Sequence, residues 1–295
     1  MRDTAQRTSR LFGIMAHPVA HSLSPVMHNA AFKALQMPHH YHAFDVKPDE
    51  LPAAVSAMRV LGIKGVNVSI PHKEQVLKFI DQINEEARVI GAVNTIVQGE
   101  DGRLIGYNTD GAGYVRSLLS ETEIDLRQTH ALVIGAGGAA KGIGVYLLKS
   151  GCKQLTVMNR TASKGEQLVH QLQSYIEPYA SETKVQAISW QDEVSGTHDP
   201  FNLIINTTSV GMWPNTEAAP VRLKDMEAHI IVSDIVYNPL QTTLLQDAEK
   251  AGATVHQGLG MFVHQGALAF EYFTGEKAPA ELMRHVILDR LKTGT

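Results

Sequence analysis

The segment HALVIGAGGAAKG at residues 130–142 indicates the fold class of the second half of this chain. Its apolar run ALVI predicts a buried strand, and the following GAGGAA has the G-x-G-x-x-A spacing of a turn that leads from a strand into a helix. Gly135 permits the tight turn, and Gly137 lets the backbone approach a pyrophosphate, whose charge then lies at the helix N-terminus. The stretch therefore predicts a dinucleotide-binding α/β domain of the Rossmann type.

The end of the next predicted strand indicates which dinucleotide is bound. An acidic side chain roughly 20 residues beyond the glycines would accept hydrogen bonds from a free ribose 2′-hydroxyl. The sequence at this point reads Asn159-Arg160-Thr161. Arginine offers a charged fork of donors to a 2′-phosphate, and Thr161 and Lys164 can add to it. These residues favour NADP over NAD.

Short apolar runs alternate with helical patches before this stretch as well. LFGIMA at 11–16, YHAFDV at 41–46 and GVNVS at 65–69 form a β-α-β rhythm, which is typical of a mainly parallel sheet. Ser24 is expected to cap the first helix, and Pro25 suits its first turn. The sequence thus predicts a second α/β domain at the N-terminal side of the Rossmann-type domain.

Later in this first domain, a helical stretch is expected over residues 73–90, with Pro71 marking the start of the helix. AVNTIV and RLIGYN then flank residues 99–102, whose turn chemistry predicts a β-hairpin. The unit closes with a helix at about residues 112–119.

The domain boundaries are placed where the composition changes. The polar segment 120–128 resembles a linker, and two amphipathic helices follow Gly260 at the end of the chain. A chain that ends in helices often packs them back on its first domain. We therefore expect a substrate-binding domain of residues 1–119 plus 259–295, an inserted NADP-binding domain of residues 120–258, and a cleft between them that holds both ligands.

The composition excludes several classes of protein. The chain has 295 residues, which suggests about two globular domains at roughly 150 residues each. Its formal charge is −4 with no basic block, so we expect no nucleic-acid partner. No apolar run approaches the roughly 18 residues that span a bilayer, and the polar residues 1–10 lack the apolar stretch of a signal peptide, so we expect no membrane association.

Cysteine and histidine usage indicates the compartment and the metal content. The only cysteine, Cys152, excludes a disulfide framework and fits a reducing compartment, so the cytoplasm is the expected location. His39, His40 and His42 are close in sequence, but no carboxylate or cysteine accompanies them. We expect no metal site.

Polar residues of the first domain cluster at the ends of the predicted strands. They occur in HSLSP (21–25), NVSIPHK (67–73), AVNT (92–95) and YNTDG (107–111). The ends of strands are where open α/β sheets bind their ligands. These motifs therefore predict a site for a small polar substrate, because short hydroxyl and amide groups suit a polyhydroxylated molecule.

Taken with the glycine turn and NRT at 159–161, these motifs resemble the shikimate dehydrogenase family. The match also includes NTTSVGM (206–212), YNP (237–239) and GLGMFVHQG (258–266). These motifs occur in the family's order, which makes a chance match very improbable, and the resemblance runs from about Leu11 to the end of the chain.

The resemblance implies reversible reduction of 3-dehydroshikimate to shikimate by NADPH, in the pathway to chorismate and the aromatic amino acids. It implies a monomer or homodimer with a small-molecule substrate. The catalytic pair falls on Lys73 and Asp110, and the carboxylate-binding serines on Ser22 and Ser24. Substrate contacts also fall on Ser69, Lys73, Asn94, Asp110, Tyr237 and Gln265. Cofactor contacts fall on Gly135, Ala136, Gly137, Gly138, Ala139, Asn159, Arg160, Thr161, Ala162, Ser163, Lys164, Ile235 and Gly258, with Glu85 as a further position.

Lys73 is also notable by its position alone. If a helix starts at Pro71, Lys73 lies in its first turn, where the helix dipole disfavours a cation. That placement favours a chemical role for the lysine. For Asp110, an N-cap or an Asx-turn before Gly111 is the structural alternative.

Two other functions remain open. Ser69 stands where many relatives have threonine, and the missing methyl could leave room for the extra hydroxyl of quinate, so a quinate/shikimate dehydrogenase of broader specificity is the first alternative. NRT speaks against it, because quinate oxidation in similar proteins is usually linked to NAD. A catalytically silent dinucleotide-binding regulator is the second alternative, and the presence of both Lys73 and Asp110 speaks against it.

Overall fold

The computed structural model describes residues 8–177, 183–196 and 200–293. The chain divides into two compact units, one of Met1–Thr109 with Gln265–Thr295 and one of Asp110–His264. Of the polar tail at residues 1–10, positions 1–7 lie outside the described residues. Across those described ranges, no helix is long and apolar enough to cross a membrane.

Each unit is built from alternating strands and helices, as the sequence predicts. The strands are β1 (Leu11–Ala16), β2 (His40–Asp45), β3 (Ile63–Val68), β4 (Gln82–Ile83), β5 (Thr95–Gln98), β6 (Leu104–Tyr107), β7 (His130–Ile134), β8 (Gln154–Met158), β9 (Lys184–Ile188), β10 (Glu193–Ser195), β11 (Leu203–Asn206), β12 (Arg222–Lys224), β13 (Ile231–Asp234) and β14 (Thr254–His256). The helices are α1 (Ser24–Ala34), α2 (Leu51–Leu61), α3 (Glu85–Ile90), α4 (Asp110–Glu121), α5 (Gly138–Lys149), α6 (Ala162–Ile176), α7 (Thr243–Lys250), α8 (Gly258–Thr274) and α9 (Ala280–Thr293). The α/β class is confirmed.

The sheet of the first unit has the strand order β2-β1-β3-β5-β6-β4. Strands β2, β1 and β3 are parallel, whereas β5 runs antiparallel to both of its neighbours. The predicted hairpin is present between β5 and β6, where the Gly99 N–H donates to the carbonyl oxygen of Arg103 at 2.8 Å. Gly102 has a φ of 81°, a left-handed conformation that glycine adopts without strain.

The prediction of one helix over residues 73–90 is wrong. Residues 71–74 form a turn, a short 3-10 helix follows at Gln75–Lys78, and only the last part is α-helical, as α3. The cause is pairing with β6, because the N–H groups of Asp81 and Asn84 donate to the carbonyl oxygens of Leu104 and Gly106, both at 3.0 Å. Because of these long-range hydrogen bonds, Gln82–Ile83 form the strand β4, which pairs with β6.

The end of the chain closes the core of the first unit. The ring of Phe273 in α8 lies 5.2 Å from that of Phe12 in β1, and Phe270 lies 5.2 Å from Phe32 in α1. Helix α9 also packs against α1. The first unit is therefore discontinuous in sequence.

The sheet of the second unit is parallel throughout, in the order β14-β13-β11-β7-β8-β9. This is the doubly wound order of dinucleotide-binding domains. From β7 the chain adds β8 and β9 on one side of the sheet and then β11, β13 and β14 on the other, so the strand order reverses between β7 and β11. Ligands of such sheets bind outside the carboxyl ends of the strands at that reversal. The Rossmann-type architecture is confirmed, and a separate two-stranded pair joins β10 to β12.

The two units do not end where the sequence-based domains do. Helix α4 lies in the second unit, because it packs so tightly on α5 that a Cβ at Gly111 would collide with the carbonyl oxygen of Gly142. The Tyr114 hydroxyl of α4 also donates to Ser233 Oγ of β13 at 3.0 Å. The assignment of residues 1–119 plus 259–295 to substrate binding and of residues 120–258 to NADP binding stays a prediction.

Candidate functional site

In the first unit, the loops that follow β1 and β3 are joined by backbone hydrogen bonds. The His17 N–H donates to the Ile70 carbonyl at 3.1 Å, and the Ser69 N–H donates to the Met15 carbonyl at 2.9 Å. Ser69 is half-buried at this edge of the sheet. The predicted substrate motifs HSLSP and NVSIPHK therefore begin from neighbouring strand ends.

The two predicted carboxylate-binding serines have different environments. The expectation that Ser24 caps α1 is wrong, because Ser24 is the first residue of the helix and Ser22 Oγ accepts its N–H at 3.3 Å. Ser22 is half-buried, and its hydroxyl proton remains available to donate. Ser24 is buried, and its side chain is hydrogen-bonded to the phenol of Tyr41.

A chain of buried hydrogen bonds continues from Tyr41 to the predicted substrate contact Asn94. The Tyr41 hydroxyl donates to Asn67 Oδ1 at 2.7 Å, and Asn67 Nδ2 donates to Thr95 Oγ1 at 3.1 Å. Thr95 Oγ1 in turn donates to Asn94 Oδ1 at 3.0 Å. Burial raises the pKa of Tyr41, so its hydroxyl stays protonated and keeps donating. Sequence reasoning assigned no role to Tyr41.

Lys73 lies in a turn that is anchored on both sides. Its carbonyl oxygen accepts the Val93 N–H at 2.8 Å, one residue before Asn94. The preceding His72 is buried, and its Nε2 is 2.7 Å from the Val46 carbonyl oxygen. The prediction that Lys73 occupies the first turn of a helix is wrong, because residues 71–74 form a turn, so no helix dipole acts on the lysine there. The half-buried side chain is instead presented by a rigid turn.

The other predicted substrate residues lie on three different elements. Asp110 is half-buried at the first position of α4, where a negative side chain is favourable. Tyr237 stacks on Phe262 with ring centres 4.7 Å apart. Gln265 is half-buried in α8, next to Gly266, where a Cβ would collide with Met27 of α1. Asp110 and Tyr237 belong to the second unit, and Gln265 belongs to the first.

The glycine turn after β7 has the geometry that a pyrophosphate requires. Gly135 has a φ of 114°, and its N–H donates to the Met158 carbonyl at 2.9 Å. A Cβ at Gly137 or Gly138 would meet nothing within 4 Å, so the backbone at the start of α5 is open to a ligand. Ala136 and Ala139 complete the predicted turn. A dinucleotide fits this arrangement.

The loop after β8 carries the residues predicted to read the 2′-phosphate. Asn159 Nδ2 donates to the Thr161 carbonyl at 2.8 Å, which shapes the loop. The side chains of Arg160, Thr161 and Lys164 are exposed there, and α6 begins at Ala162 and Ser163. Two cations next to the N-terminus of a 15-residue helix suit a phosphate dianion.

Ile235 and Gly258, the remaining predicted cofactor contacts of this unit, are in contact with each other. A Cβ at Gly258 would lie 2.5 Å from the carbonyl oxygen of Ile235, so only glycine fits there.

Glu85, also predicted with the cofactor, is exposed at the first position of α3 in the first unit. Of the histidines near residue 40, His39 packs against the rings of Phe12 and Phe32, whereas His40 and His42 lie in β2. Within the described residues, no three potential ligands lie close enough together to hold a metal ion.

Sequence reasoning missed Asp234, the last residue of β13. Its side chain is fully buried, and burial raises its pKa to about 6. It accepts hydrogen bonds from Asn206 Nδ2 at 3.1 Å and from the Val236 N–H at 3.0 Å. The signal available in the sequence was an Asp at the end of an apolar strand, directly before the YNP motif.

Three family profiles match the chain in succession. They are described as the shikimate dehydrogenase substrate binding domain (residues 14–96), shikimate / quinate 5-dehydrogenase (residues 117–225) and the shikimate 5′-dehydrogenase C-terminal domain (residues 258–288). A shikimate dehydrogenase (NADP(+)) of Geobacillus sp. strain WCH70 is 47% identical over 283 residues, which cover 96% of this chain and 99% of that protein.

Solved structures agree with these matches. A crystal structure of shikimate dehydrogenase in complex with NADP+ is 38% identical, with a TM-score of 0.86 and 96% of each chain covered. The ligand-free 5-ketofructose reductase of Gluconobacter sp. strain CHM43 also has a TM-score of 0.86, at 34% identity, with 96% of this chain and 99% of that chain covered. The same fold therefore also occurs in a reductase whose named substrate is 5-ketofructose.

Proposed function

The chain belongs to the shikimate dehydrogenase family, and we propose that it reduces 3-dehydroshikimate to shikimate, reversibly, with NADPH. It is an NADP-dependent oxidoreductase that acts on a CH–OH group. The observation that carries the substrate assignment is the turn that anchors Lys73 to Val93, directly before the buried Asn94. This turn lies in the unit whose profile is that of the substrate binding domain.

Bound NADPH would supply the hydride, held by the open glycine turn at its pyrophosphate and by Arg160, Thr161 and Lys164 at its 2′-phosphate. Reduction of the ketone builds negative charge on its oxygen, so a proton donor is needed within hydrogen-bond reach. We assign this role to Lys73, with Asp110 as the group that orients the ammonium and holds a neighbouring hydroxyl.

The remaining polar residues bind and orient the substrate. We assign the carboxylate to Ser22 and Ser24 and the ring hydroxyls to Ser69, Asn94, Tyr237 and Gln265. The arrangement of Ser22 supports this assignment, because its oxygen is engaged by the Ser24 N–H while its hydroxyl proton can be donated to an anion. The predicted domains 1–119 plus 259–295 and 120–258 would then bind the substrate and NADP, respectively.

The substrate and cofactor are tested by measuring NADPH or NADH formation with shikimate and with quinate, each with NADP+ and with NAD+. We expect the highest kcat/KM with shikimate and NADP+. Comparable or higher kcat/KM with quinate would favour the broader quinate/shikimate dehydrogenase, for which Ser69 and the shikimate / quinate profile speak. No turnover with any pair, together with tight NADP binding, would favour the silent regulator.

We also propose that the protein acts in the cytoplasm as a monomer or homodimer, with no nucleic-acid partner. The single cysteine supports the cytoplasmic location, and the formal charge of −4 supports the absence of a nucleic-acid partner. Cell fractionation and sedimentation of the purified chain would test location and oligomeric state separately.

A further inference from the structure

Two neighbouring strand ends in the second unit are joined by buried polar side chains. Asn206 and Asp234 lie opposite each other in the parallel pair of β11 and β13, and Asn206 Nδ2 donates to Asp234 Oδ1 at 3.1 Å. Asn206 Oδ1 also accepts the Thr208 N–H at 3.0 Å, and its Nδ2 donates to the Val210 carbonyl at 3.3 Å. Asn206 therefore shapes the loop that follows β11.

Asp234 shapes the loop that follows β13 at both of its ends. Its Oδ1 accepts the Val236 N–H at 3.0 Å, and its Oδ2 accepts the Thr242 hydroxyl at 2.7 Å, at the N-cap of α7. The carboxylate thus has three donors, which are the interactions that a buried charge requires. Burial nonetheless raises its pKa to about 6, so the ionised group is held there at a cost in stability.

The loop that Asp234 organises carries Ile235 and Tyr237. The Ile235 N–H donates to the Asn206 carbonyl at 3.2 Å, and the backbone of Gly258 packs directly against the Ile235 carbonyl. Tyr237 is two residues beyond, stacked on Phe262. A change in the Asp234 carboxylate would therefore move the backbone between both of these residues.

We propose that Asp234, together with Asn206, is a positioning residue that holds Ile235 and Tyr237 where the hydride is transferred, and that it has no part in binding the adenosine half of NADP. The proposal rests on the proposed function, which assigns Ile235 to the cofactor and Tyr237 to the substrate. Asp234 acts through these two residues and is too deeply buried to touch either ligand.

Asp234→Ala tests the proposal, since it leaves the Val236 N–H, Asn206 Nδ2 and the Thr242 hydroxyl without their common acceptor. We expect kcat with shikimate and NADP+ to fall about ten- to a hundredfold, because small displacements of reacting groups have effects of that order. The Kd of adenosine 2′,5′-bisphosphate, a probe with the 2′-phosphate but no nicotinamide, should stay unchanged.

Asp234→Asn is the conservative variant. Its carbonyl oxygen can still accept from Val236 and Asn206, and its amide can donate to Thr242 Oγ1, so we expect kcat within about threefold of the wild type. Thr242→Val is the structural control, because it removes the bond at the far end of the loop and the cap of α7, while the bonds of Asp234 to Val236 and Asn206, next to Ile235 and Tyr237, remain. It should lower the Tm and leave kcat almost unchanged.

Several results would overturn the proposal. Kinetic results that contradict it are a normal kcat in Asp234→Ala, a kcat of Asp234→Asn as low as that of Asp234→Ala, or equal losses of kcat in Asp234→Ala and Thr242→Val. A higher Kd of adenosine 2′,5′-bisphosphate in Asp234→Ala would also contradict it. Should Asp234→Ala not fold, Asn206→Ala breaks the same pair from the other strand and must give the same pattern. A wild-type protein inactive with shikimate would contradict the proposed function instead, and is thus a distinguishable failure.

Discussion

Asn94 and Thr109 are joined by two buried hydrogen bonds, one donated by each residue. The Thr109 N–H donates to Asn94 Oδ1 at 2.8 Å, and Asn94 Nδ2 donates to Thr109 Oγ1 at 2.9 Å. Asp110 follows Thr109 directly in the chain, so Asn94 fixes the backbone from which a predicted catalytic carboxylate extends.

Replacing Asn94 should therefore affect both stability and activity. Asn94→Ala leaves the buried Thr109 N–H without its acceptor, so we expect the free energy of unfolding to fall by about 1–3 kcal/mol and kcat to fall as well. Asn84→Ala is the matched control, since Asn84 Oδ1 also accepts a backbone N–H, that of Ala87 at 3.0 Å. It should cost stability without lowering kcat. Unchanged urea unfolding of Asn94→Ala would contradict this reading of the pair.

Lys73→Ala should lower kcat by about a hundredfold or more, which is the usual size of a general acid–base contribution. KM for shikimate should change less, because Ser22 and Ser24 still bind the carboxylate. Asp110→Ala should also lower kcat, and the double variant should lose less than the product of the two losses if the residues act together. Steady-state kinetics from pH 7 to 10 with Lys78→Ala as control checks this, and a near-normal kcat in Lys73→Ala would falsify the assignment.

Arg160→Ala should weaken binding of NADP far more than binding of NAD. The variant loses a charged hydrogen bond to the 2′-phosphate worth roughly 1.5–3 kcal/mol, equivalent to about ten- to a hundredfold in affinity. Titration with both cofactors measures the ratio, and Arg222→Ala, another exposed arginine of the second unit, should leave it unchanged. Equal weakening of both cofactors would show that Arg160 does not read the 2′-phosphate.

Asp234 should make the protein less stable as pH rises from about 4 to about 6. Its pKa is raised from 3.8 to about 6 in the folded chain, so the folded state binds the proton more tightly than the unfolded state. The stability present below pH 3.8 is therefore lost as pH rises through 6, by roughly 3 kcal/mol in total. Urea unfolding at pH 4, 5 and 7 should show this loss in the wild type relative to Asp234→Asn, and parallel profiles would disprove it.

His28 should have the opposite effect. Burial lowers its pKa from 6.5 to about 3, so the stability it contributes above pH 6.5 is lost progressively as pH falls toward 3. His28→Phe keeps a ring that can stack on Tyr41, which lies 4.3 Å away, but it cannot bind a proton. Between pH 7 and 5, the wild type should lose about 2 kcal/mol more unfolding free energy than this variant. An equal loss in both proteins would exclude His28 as the cause.

Features that depend on a few neighbouring residues can be predicted from the amino-acid sequence alone. The G-x-G-x-x-A spacing predicts the turn because Gly135 permits a tight turn, and residues 99–102 predict the β5–β6 hairpin through their turn chemistry. The structure has both features, with a φ of 114° at Gly135. The preference for NADP over NAD follows from Arg160, with Thr161 and Lys164, at a position where an acidic side chain would indicate NAD. In each case the requirement is set by residues that lie close together in the sequence, so their types are enough to predict the feature.

Features that depend on partners distant in the sequence become visible only in the folded chain. Residues 73–90 have a helical pattern, yet the pairing of β4 with β6 outweighs that local preference and places Lys73 in a turn. Asp234 resembles any acidic residue at a strand end until Asn206, from the neighbouring strand, and Thr242 enclose it. Backbone pairing, burial and the pKa shift that follows from burial arise between segments far apart in the chain, so neither periodicity nor motif spacing contains them.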